Sequence, residues 1–143
     1  MTGIDPRGPR FTAGITTVIL AAALLSPSVA VSAVIMGAQA ACFAIGVVAG
    51  IQHTPTGIAF RRLVRPRLTP PAELEDPRPP RFAQAVGLVF ATLSLIGYLT
   101  GALALAQVAA GFAIFAALLN AVFGFCLGCE MYLLGLRLAR RPA

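Results

Sequence analysis

The chain has 143 residues, of which 58% are hydrophobic and 11% are charged. This composition excludes an ordinary soluble globular domain, in which about 25% of the residues are charged. The formal net charge is +6, and every basic residue is an arginine. Because no aromatic residues are interleaved with these arginines as a base-stacking surface requires, we expect attraction to anionic lipid rather than binding to nucleic acid.

Two long uncharged segments cover residues 11–60 and 82–129. Each is about twice the roughly 20 residues that a transmembrane helix needs. Ser26-Pro27-Ser28 interrupts the first segment, and a glycine-flanked stretch around Tyr98 interrupts the second. We therefore predict an all-α integral membrane protein with four transmembrane helices. Their expected positions are residues 11–25, 29–51, 82–97 and 102–125, and the first and third would be short for a bilayer.

A cleaved signal peptide is an alternative interpretation of the first predicted helix. Arg7 and Arg10 precede its apolar residues, and Ser28-Val29-Ala30 could serve as a small-residue cleavage site. Its counterpart in the second half of the chain is internal and cannot be a signal. We therefore favour a retained transmembrane helix.

The same motif opens both uncharged segments. Asp5-Pro6-Arg7-Gly8-Pro9-Arg10-Phe11 recurs 71 residues later as Asp76-Pro77-Arg78-Pro79-Pro80-Arg81-Phe82. This recurrence predicts two hairpin repeats of parallel topology within a single membrane domain, residues 1–143. The first repeat would cover about 5–63 and the second about 76–138, with a Pro-rich strap at about 64–80. Small-residue faces on four such spans also favour a homo-oligomer.

The arginines predict how the chain is oriented in the membrane. They lie before the first span, between the two hairpins and near the end of the chain, whereas both hairpin tips have none. By the positive-inside rule, both termini and the central loop are cytoplasmic, as expected for a multi-pass protein of the inner (plasma) membrane.

The central loop allows two interpretations. Arg61-Arg62-Leu63-Val64-Arg65 reads as a short basic amphipathic stretch on the membrane surface, and five prolines then surround Glu73 and Glu75. Such a strap either simply returns the chain to the membrane or recruits a cytosolic partner.

Small and polar residues inside the spans predict how the helices pack. Gly46-x-x-x-Gly50 and Gly124-x-x-x-Gly128 lie near the ends of spans two and four, so we expect those two spans to cross there. We expect the amide side chains in the spans to form hydrogen bonds between helices. The hydrocarbon region holds no charged residue of the kind that marks an ion relay, and this disfavours a transporter. The amides are Gln39, Gln107 and Asn120.

The candidate site is Cys126-Leu127-Gly128-Cys129-Glu130, which follows span four. Where the first half has His53, followed by the helix-start signal Thr54-Pro55, the second half has Cys126. If both halves begin a juxtamembrane helix there, Cys126 lies near a helix N-terminus, which stabilises the reactive thiolate. If span four instead continues unbroken, this activation is lost.

Three interpretations of the cysteine pair remain open. The first is a thiol–disulfide or sulfur-handling site, with Glu130 as a proton acceptor and His53 as a further catalytic candidate. The second is a metal site, which needs about four ligands. The chain offers only Cys126, Cys129, Glu130 and His53 for this role, so we expect neither metal nor cofactor. The third is a pair of small side chains that fill a helix crossing. His53 alternatively caps the end of span two, and Cys42 is interpreted as a packing residue.

Several motifs together resemble a family of small bacterial integral-membrane proteins of unknown function that is common in actinobacteria. The residues that carry the resemblance are Arg61 to Arg67, Pro71 to Pro77, Pro80 to Gln84 and Phe123 to Tyr132, which include Gly-Phe-Cys-x-x-Cys-Glu. The resemblance implies a four-span fold and an association with thioredoxin-like and sulfurtransferase proteins. Two functions follow as hypotheses: a membrane thiol or sulfur redox partner, or a scaffold that recruits a cytosolic protein through its Pro-rich loop.

Overall fold

The computed structural model describes residues 3–141; Met1, Thr2, Pro142 and Ala143, which the single-domain prediction includes, lie outside this range. Within it the chain forms six α-helices, with short 3₁₀ and π-helical turns at Ile51–His53, Phe60–Val64 and Arg65–Arg67. The helices are α1 Arg7–Leu25, α2 Val29–Val48, α3 Pro55–Ala59, α4 Arg78–Thr100, α5 Leu103–Phe123 and α6 Leu127–Ala139.

Four helices in the described range, α1, α2, α4 and α5, are long and apolar enough to cross a membrane. This confirms the predicted all-α membrane fold with four transmembrane helices. With 13 residues, α6 is too short to span a bilayer.

The recurring Asp-Pro-Arg motif starts both α1 and α4. The carboxylate of Asp5 accepts the backbone N–H of Arg7 at 3.0 Å and forms a 2.8 Å ion pair with its side chain. Asp76 accepts the backbone N–H of Arg78 at 2.9 Å in the same way. Because each carboxylate caps the first turn, both helices begin four residues before the predicted position. The two spans that were expected to be short therefore have 19 and 23 residues.

Two glycines end the other transmembrane helices earlier than predicted. Gly50 follows α2 with a φ of 98°, and Gly124 follows α5 with a φ of 68°. A residue with a Cβ rarely adopts this left-handed backbone. The chain therefore turns here, and both times it then starts a short helix on the same side of the bundle.

The bundle is held together mainly by contacts between the two halves of the chain. Helix α2 packs on α4, and α1 packs on α5; α4 also packs on α5 within its own hairpin. The guanidinium of Arg10 donates to the carbonyls of Ala121 and Val122 at the end of α5, and Arg81 donates to those of Val47 and Val48 at the end of α2. These bonds satisfy the free carbonyls at both helix ends.

Hydroxyl groups and small residues join the helices within each hairpin. The hydroxyl of Ser32 donates to the Ala23 carbonyl at 2.7 Å, and that of Ser94 donates to the Ala106 carbonyl at 2.8 Å. A Cβ on Gly97 would lie 2.6 Å from the backbone nitrogen of Ala106. In an apolar bilayer a buried hydroxyl needs a hydrogen-bond partner, and small residues let the packed helices approach each other closely.

The glycine motifs do not pack on each other, so the predicted crossing of spans two and four is wrong. Instead, both motifs face α4: a Cβ on Gly46 would meet the side chain of Gln84, and a Cβ on Gly128 would lie 2.6 Å from the Cα of Ala83. Gly50 of the first motif and Gly124 of the second motif are the turn glycines described above. Pattern and spacing are the same in a packing glycine and a turn glycine, and only the fold distinguishes them.

The strap is tied to the start of the chain. Ile4 and Glu75 form an isolated antiparallel bridge, with N–H to carbonyl distances of 3.0 and 2.9 Å. Arg7 also donates to the carbonyl of Thr69 at 2.9 Å. The strap therefore lies across the end of the bundle that carries the arginines.

Candidate thiol site

Cys126 is the N-cap of α6. Its φ of −90° and ψ of 103° are extended, its carbonyl accepts the N–H of Glu130 at 3.0 Å, and its sulfur accepts the N–H of Cys129 at 3.4 Å. These are the bonds that a serine or threonine makes at this position. Span four thus ends before the cysteines, and a new helix begins at Leu127 with both sulfurs at its first turn.

The site is close to α4. Gly128 is buried and approaches Ala83 closely, while the ring of Tyr132 lies 5.7 Å from that of Phe82. A side chain at Gly128 would push the first turn of α6 away from α4. The glycine between the two cysteines therefore holds the thiols against the bundle.

The first half of the chain contains the same arrangement with a different cap. Thr54 is the N-cap of α3, and its hydroxyl accepts the N–H of Gly57 at 3.1 Å. By position in the helix, Thr54 corresponds to Cys126 and Gly57 corresponds to Cys129. The proposed alignment of His53 with Cys126 is therefore wrong by one residue, because the second half has one residue more before its helix starts.

The two thiols have opposite electrostatic environments. The thiol of Cys129 donates toward the sulfur of Cys126, and this contact lowers the pKa of Cys126, with further help from the backbone N–H groups of Cys129 and Gly128. The same contact raises the pKa of Cys129, and burial and the negative charges nearby raise it further. The pair therefore consists of one thiol that ionises readily and one that retains its proton.

Glu75 is a member of this site that sequence reasoning missed. Its carboxylate, like that of Glu130, raises the pKa of Cys129. The residue is far from the cysteines in the chain and is exposed in the strap, where its backbone bridges to Ile4. An acidic residue in a Pro-rich connector gives no sequence signal of such a role. Glu130 is exposed in the first turn of α6.

His53 occupies a different place from the cysteine pair. It is exposed in the turn between α2 and α3, and its Nδ1 donates to the carbonyl of Ala49 at 2.7 Å. This contact matches the capping role that the sequence left open for it. Across residues 3–141, no three His, Cys, Asp or Glu side chains are grouped so that they could hold a metal ion.

The three cysteines are free thiols. Cys42 lies within α2, half-buried, and is not joined to either of the others.

A cavity of about 380 Å³ lies between Cys126 and the four spans and opens beside Phe112 and Phe115, which are 59% and 57% exposed. All four spans line it, and the lining is mostly apolar and carries no charged side chain within the described part of the chain. The polar groups in the lining include Thr12, Thr16, Gln84 and Asn120. Nothing in the sequence pattern indicated this cavity, because its walls come from segments that are distant in the chain.

Comparison with known proteins identifies the family. No curated protein and no solved structure matches the chain. A family model described as a domain of unknown function, DUF4395, matches residues 4–137, which include α1 to α5 and all but the last two residues of α6. The chain therefore belongs to the DUF4395 family.

Proposed function

We propose that this multi-pass membrane protein is a thiol–disulfide or sulfur-transfer partner that uses Cys126 and Cys129. The observation that carries the proposal is the position of Cys126 at the N-cap of α6, where its sulfur accepts the backbone N–H of Cys129 at 3.4 Å. A helix N-terminus stabilises a thiolate, which is the nucleophilic form.

The order of reaction follows from the two pKa shifts. The Cys126 thiolate attacks a disulfide of the partner, forms a mixed disulfide and releases one partner thiolate. The Cys129 thiol then loses its proton and attacks the sulfur of Cys126. The partner leaves in the dithiol form, and a Cys126–Cys129 disulfide remains. Two electrons pass from the pair to the partner; with a reduced partner dithiol the same steps run in reverse and reduce the Cys126–Cys129 disulfide.

The partner is proposed to be a thioredoxin-like or sulfurtransferase protein. Cys126 is half-buried at the arginine-bearing end of the bundle, where a soluble protein has access. Glu75 and Glu130 lie close enough to influence Cys129 and are candidates for receiving its proton. His53 has no place in this reaction scheme, since it bonds to the end of α2.

A redox titration tests the function. The purified full-length protein is equilibrated with dithiothreitol buffers of graded poise, and free thiols are alkylated and located by mass spectrometry. We expect Cys126 and Cys129 to become protected together as a two-electron pair, while Cys42 stays alkylated or inert at every poise. Independent titration of the two cysteines, or none, would rule out the dithiol function.

A scaffold function is the alternative, favoured by a specific feature of the strap. Leu74 is 54% exposed in the strap beside Glu73 and Glu75, although the bridge at Ile4 holds the backbone there in place. An exposed apolar side chain on a fixed Pro-rich segment suits recruitment of a cytosolic protein. This function would survive loss of both thiols, so replacing Cys126 and Cys129 separates the two candidates.

We also propose that the chain is a duplicated hairpin placed in the inner membrane with both termini cytoplasmic. The support is that its contacts occur in pairs: Ile4 bonds to Glu75, its counterpart 71 residues later, and Arg10 and Arg81 each cap a helix of the other half. Reporter fusions at Pro27 and Leu99 should be extracytoplasmic, and a fusion at Ala72 should be cytoplasmic. A cytoplasmic signal from either hairpin tip would refute this orientation.

A further inference from the structure

The cavity behind Cys126 has the character of a ligand site. Its volume of about 380 Å³ is within the roughly 300 to 1,000 Å³ of small-molecule pockets. Phe43, Phe90, Phe112 and Phe115 contribute aromatic rings to its lining. Apolar, aromatic walls without charge favour a flat, uncharged ligand and disfavour an anionic one.

Thr12 indicates what polar group the ligand carries. The residue is 5% exposed and lines the cavity, and its Oγ1 is buried with no hydrogen-bond partner anywhere in residues 3–141. A buried hydroxyl without a partner is uncommon, because the lost hydrogen bonds to water are not replaced. The oxygen itself is not accessible from the cavity, so the Thr12 side chain would have to rotate to donate this hydrogen bond to the carbonyl oxygen of a ligand. The amides of Gln84 and Asn120 lie in the same lining.

The cavity is also placed to serve the thiols. Its lining comes from the halves of α1, α2, α4 and α5 that are nearest to α6, and Cys126 forms part of its wall. A ligand reaching it from the bilayer would therefore meet the sulfur without passing through water.

We propose that the cavity binds the ring of a quinone, a membrane-soluble two-electron oxidant, which oxidises the Cys126–Cys129 dithiol. This inference rests on the dithiol function proposed above and names its second substrate. With the quinone as the oxidant, the thiol exchange runs in reverse. A partner dithiol attacks the Cys126–Cys129 disulfide through its thiolate, leaves as a disulfide and returns two electrons and two protons to the pair. In the reaction both S–H bonds break and one S–S bond forms. The two electrons and two protons pass to the quinone, whose two carbonyls become the hydroxyls of a hydroquinone.

A quinone accounts for the observations better than a lipid tail. An acyl chain would fill the apolar space, but it offers no acceptor to Thr12 and no means of accepting electrons. A quinone ring supplies carbonyl oxygens for the hydroxyl and a flat face for the phenylalanines.

The test uses the full-length protein in detergent, fully reduced and freed of reductant, with decylubiquinone as the probe. Every ring position of this quinone is substituted, which suppresses simple addition of thiols. We expect loss of the oxidised-quinone absorbance, one quinol formed for each Cys126–Cys129 disulfide found by mass spectrometry, and no reaction with Cys126→Ser.

Two cavity variants and a control locate the reaction. Ala116→Phe, which fills the cavity from α5, should slow quinone reduction at least tenfold. The matched Ala41→Phe, at an exposed position of α2 outside the cavity, should leave it unchanged. Thr12→Val keeps the shape but removes the hydroxyl, and should raise the KM for quinone by about two- to tenfold, the equivalent of one hydrogen bond.

A second oxidant separates failure of this inference from failure of the dithiol function. Each variant and the native chain are also oxidised with glutathione disulfide, which is water-soluble and does not need the cavity. Disulfide formation with glutathione disulfide but not with decylubiquinone would overturn the quinone site and leave the dithiol function standing. Formation with neither would overturn both. Equal quinone rates in native protein and Ala116→Phe would show that the oxidant reacts elsewhere.

Discussion

Helices α3 and α6 begin with the same N-cap hydrogen bond, which a hydroxyl accepts in α3 and a sulfur accepts in α6. Thr54 caps α3 by accepting the N–H of Gly57, and Cys126 caps α6 by accepting the N–H of Cys129. A hydroxyl is a good acceptor for a helix cap, whereas a neutral thiol is a weak one. The stability of the helix cap therefore does not explain why a sulfur stands at the start of α6. The comparison teaches that the capping role and the thiol chemistry of Cys126 can be separated by substitution.

The strongest test of this comparison makes α6 resemble α3. The double replacement Cys126→Thr and Cys129→Gly should abolish thiol exchange completely, as measured by alkylation and mass spectrometry across a redox titration. The fold should survive, since Thr is a good N-cap and one Gly in the first turn costs about 1 kcal/mol.

Cys42→Ala is the control for this double variant and should retain the full two-electron titration. A double variant that melts far below the native protein would mean that the thiols stabilise the fold, so that helix capping and thiol chemistry could not be separated.

The next prediction concerns the pH dependence of the two thiols in a Cys42→Ala background. The thiolate is the form that alkylates, so a lowered pKa moves the rate profile to lower pH and a raised pKa moves it to higher pH. Because the pKa of Cys126 is lowered and that of Cys129 is raised, Cys126 should alkylate about tenfold or more faster at neutral pH.

The Cys126→Ser variant sharpens this prediction. It removes the contact that is the first cause of the raised pKa of Cys129, so Cys129 should react at lower pH than it does in the native chain. Equal rates for the two cysteines, each with a profile centred near the ordinary value of about 8.5, would contradict an activated nucleophile.

A packing prediction compares two glycines of α6. Gly128→Leu places a side chain against Ala83 and should destabilise the protein by about 1 to 3 kcal/mol, in line with overpacking. The matched Gly135→Leu has nothing within 4 Å of its Cβ and should be neutral or slightly stabilising. Thermal unfolding in detergent measures both.

If the two glycine variants melt alike, α6 does not pack on α4 as the structure has it.

The smallest expected effect concerns the caps themselves. Thr54→Val removes a buried hydroxyl that holds the first turn of α3 and should cost about 0.5 to 2 kcal/mol. Cys126→Ala should cost less, because a neutral thiol is the weaker acceptor. Unfolding of both variants at a pH below the thiol range gives the comparison, and a larger loss for Cys126→Ala would show that the sulfur is the stronger cap.

The amino-acid sequence alone determined the membrane class and the number of spans. Uncharged segments of this length have few alternatives in a bilayer, where every backbone group needs a partner within its own helix. The break before the cysteines was also readable, because Thr54-Pro55 is a helix-start signal that its counterpart could share.

Only the tertiary structure decided which surfaces meet. Gly46 and Gly124 look alike in the sequence, yet one packs on Gln84 and the other turns the chain. Glu75 and Thr12 carry no sequence signal: Glu75 lies in the strap and raises the pKa of Cys129, and Thr12 of α1 lines the cavity together with residues of α4, α5 and α6. A local pattern reports how a segment satisfies its own backbone, whereas a cavity or an electrostatic contact is created by segments far apart in the chain, and their meeting depends on how the whole bundle packs.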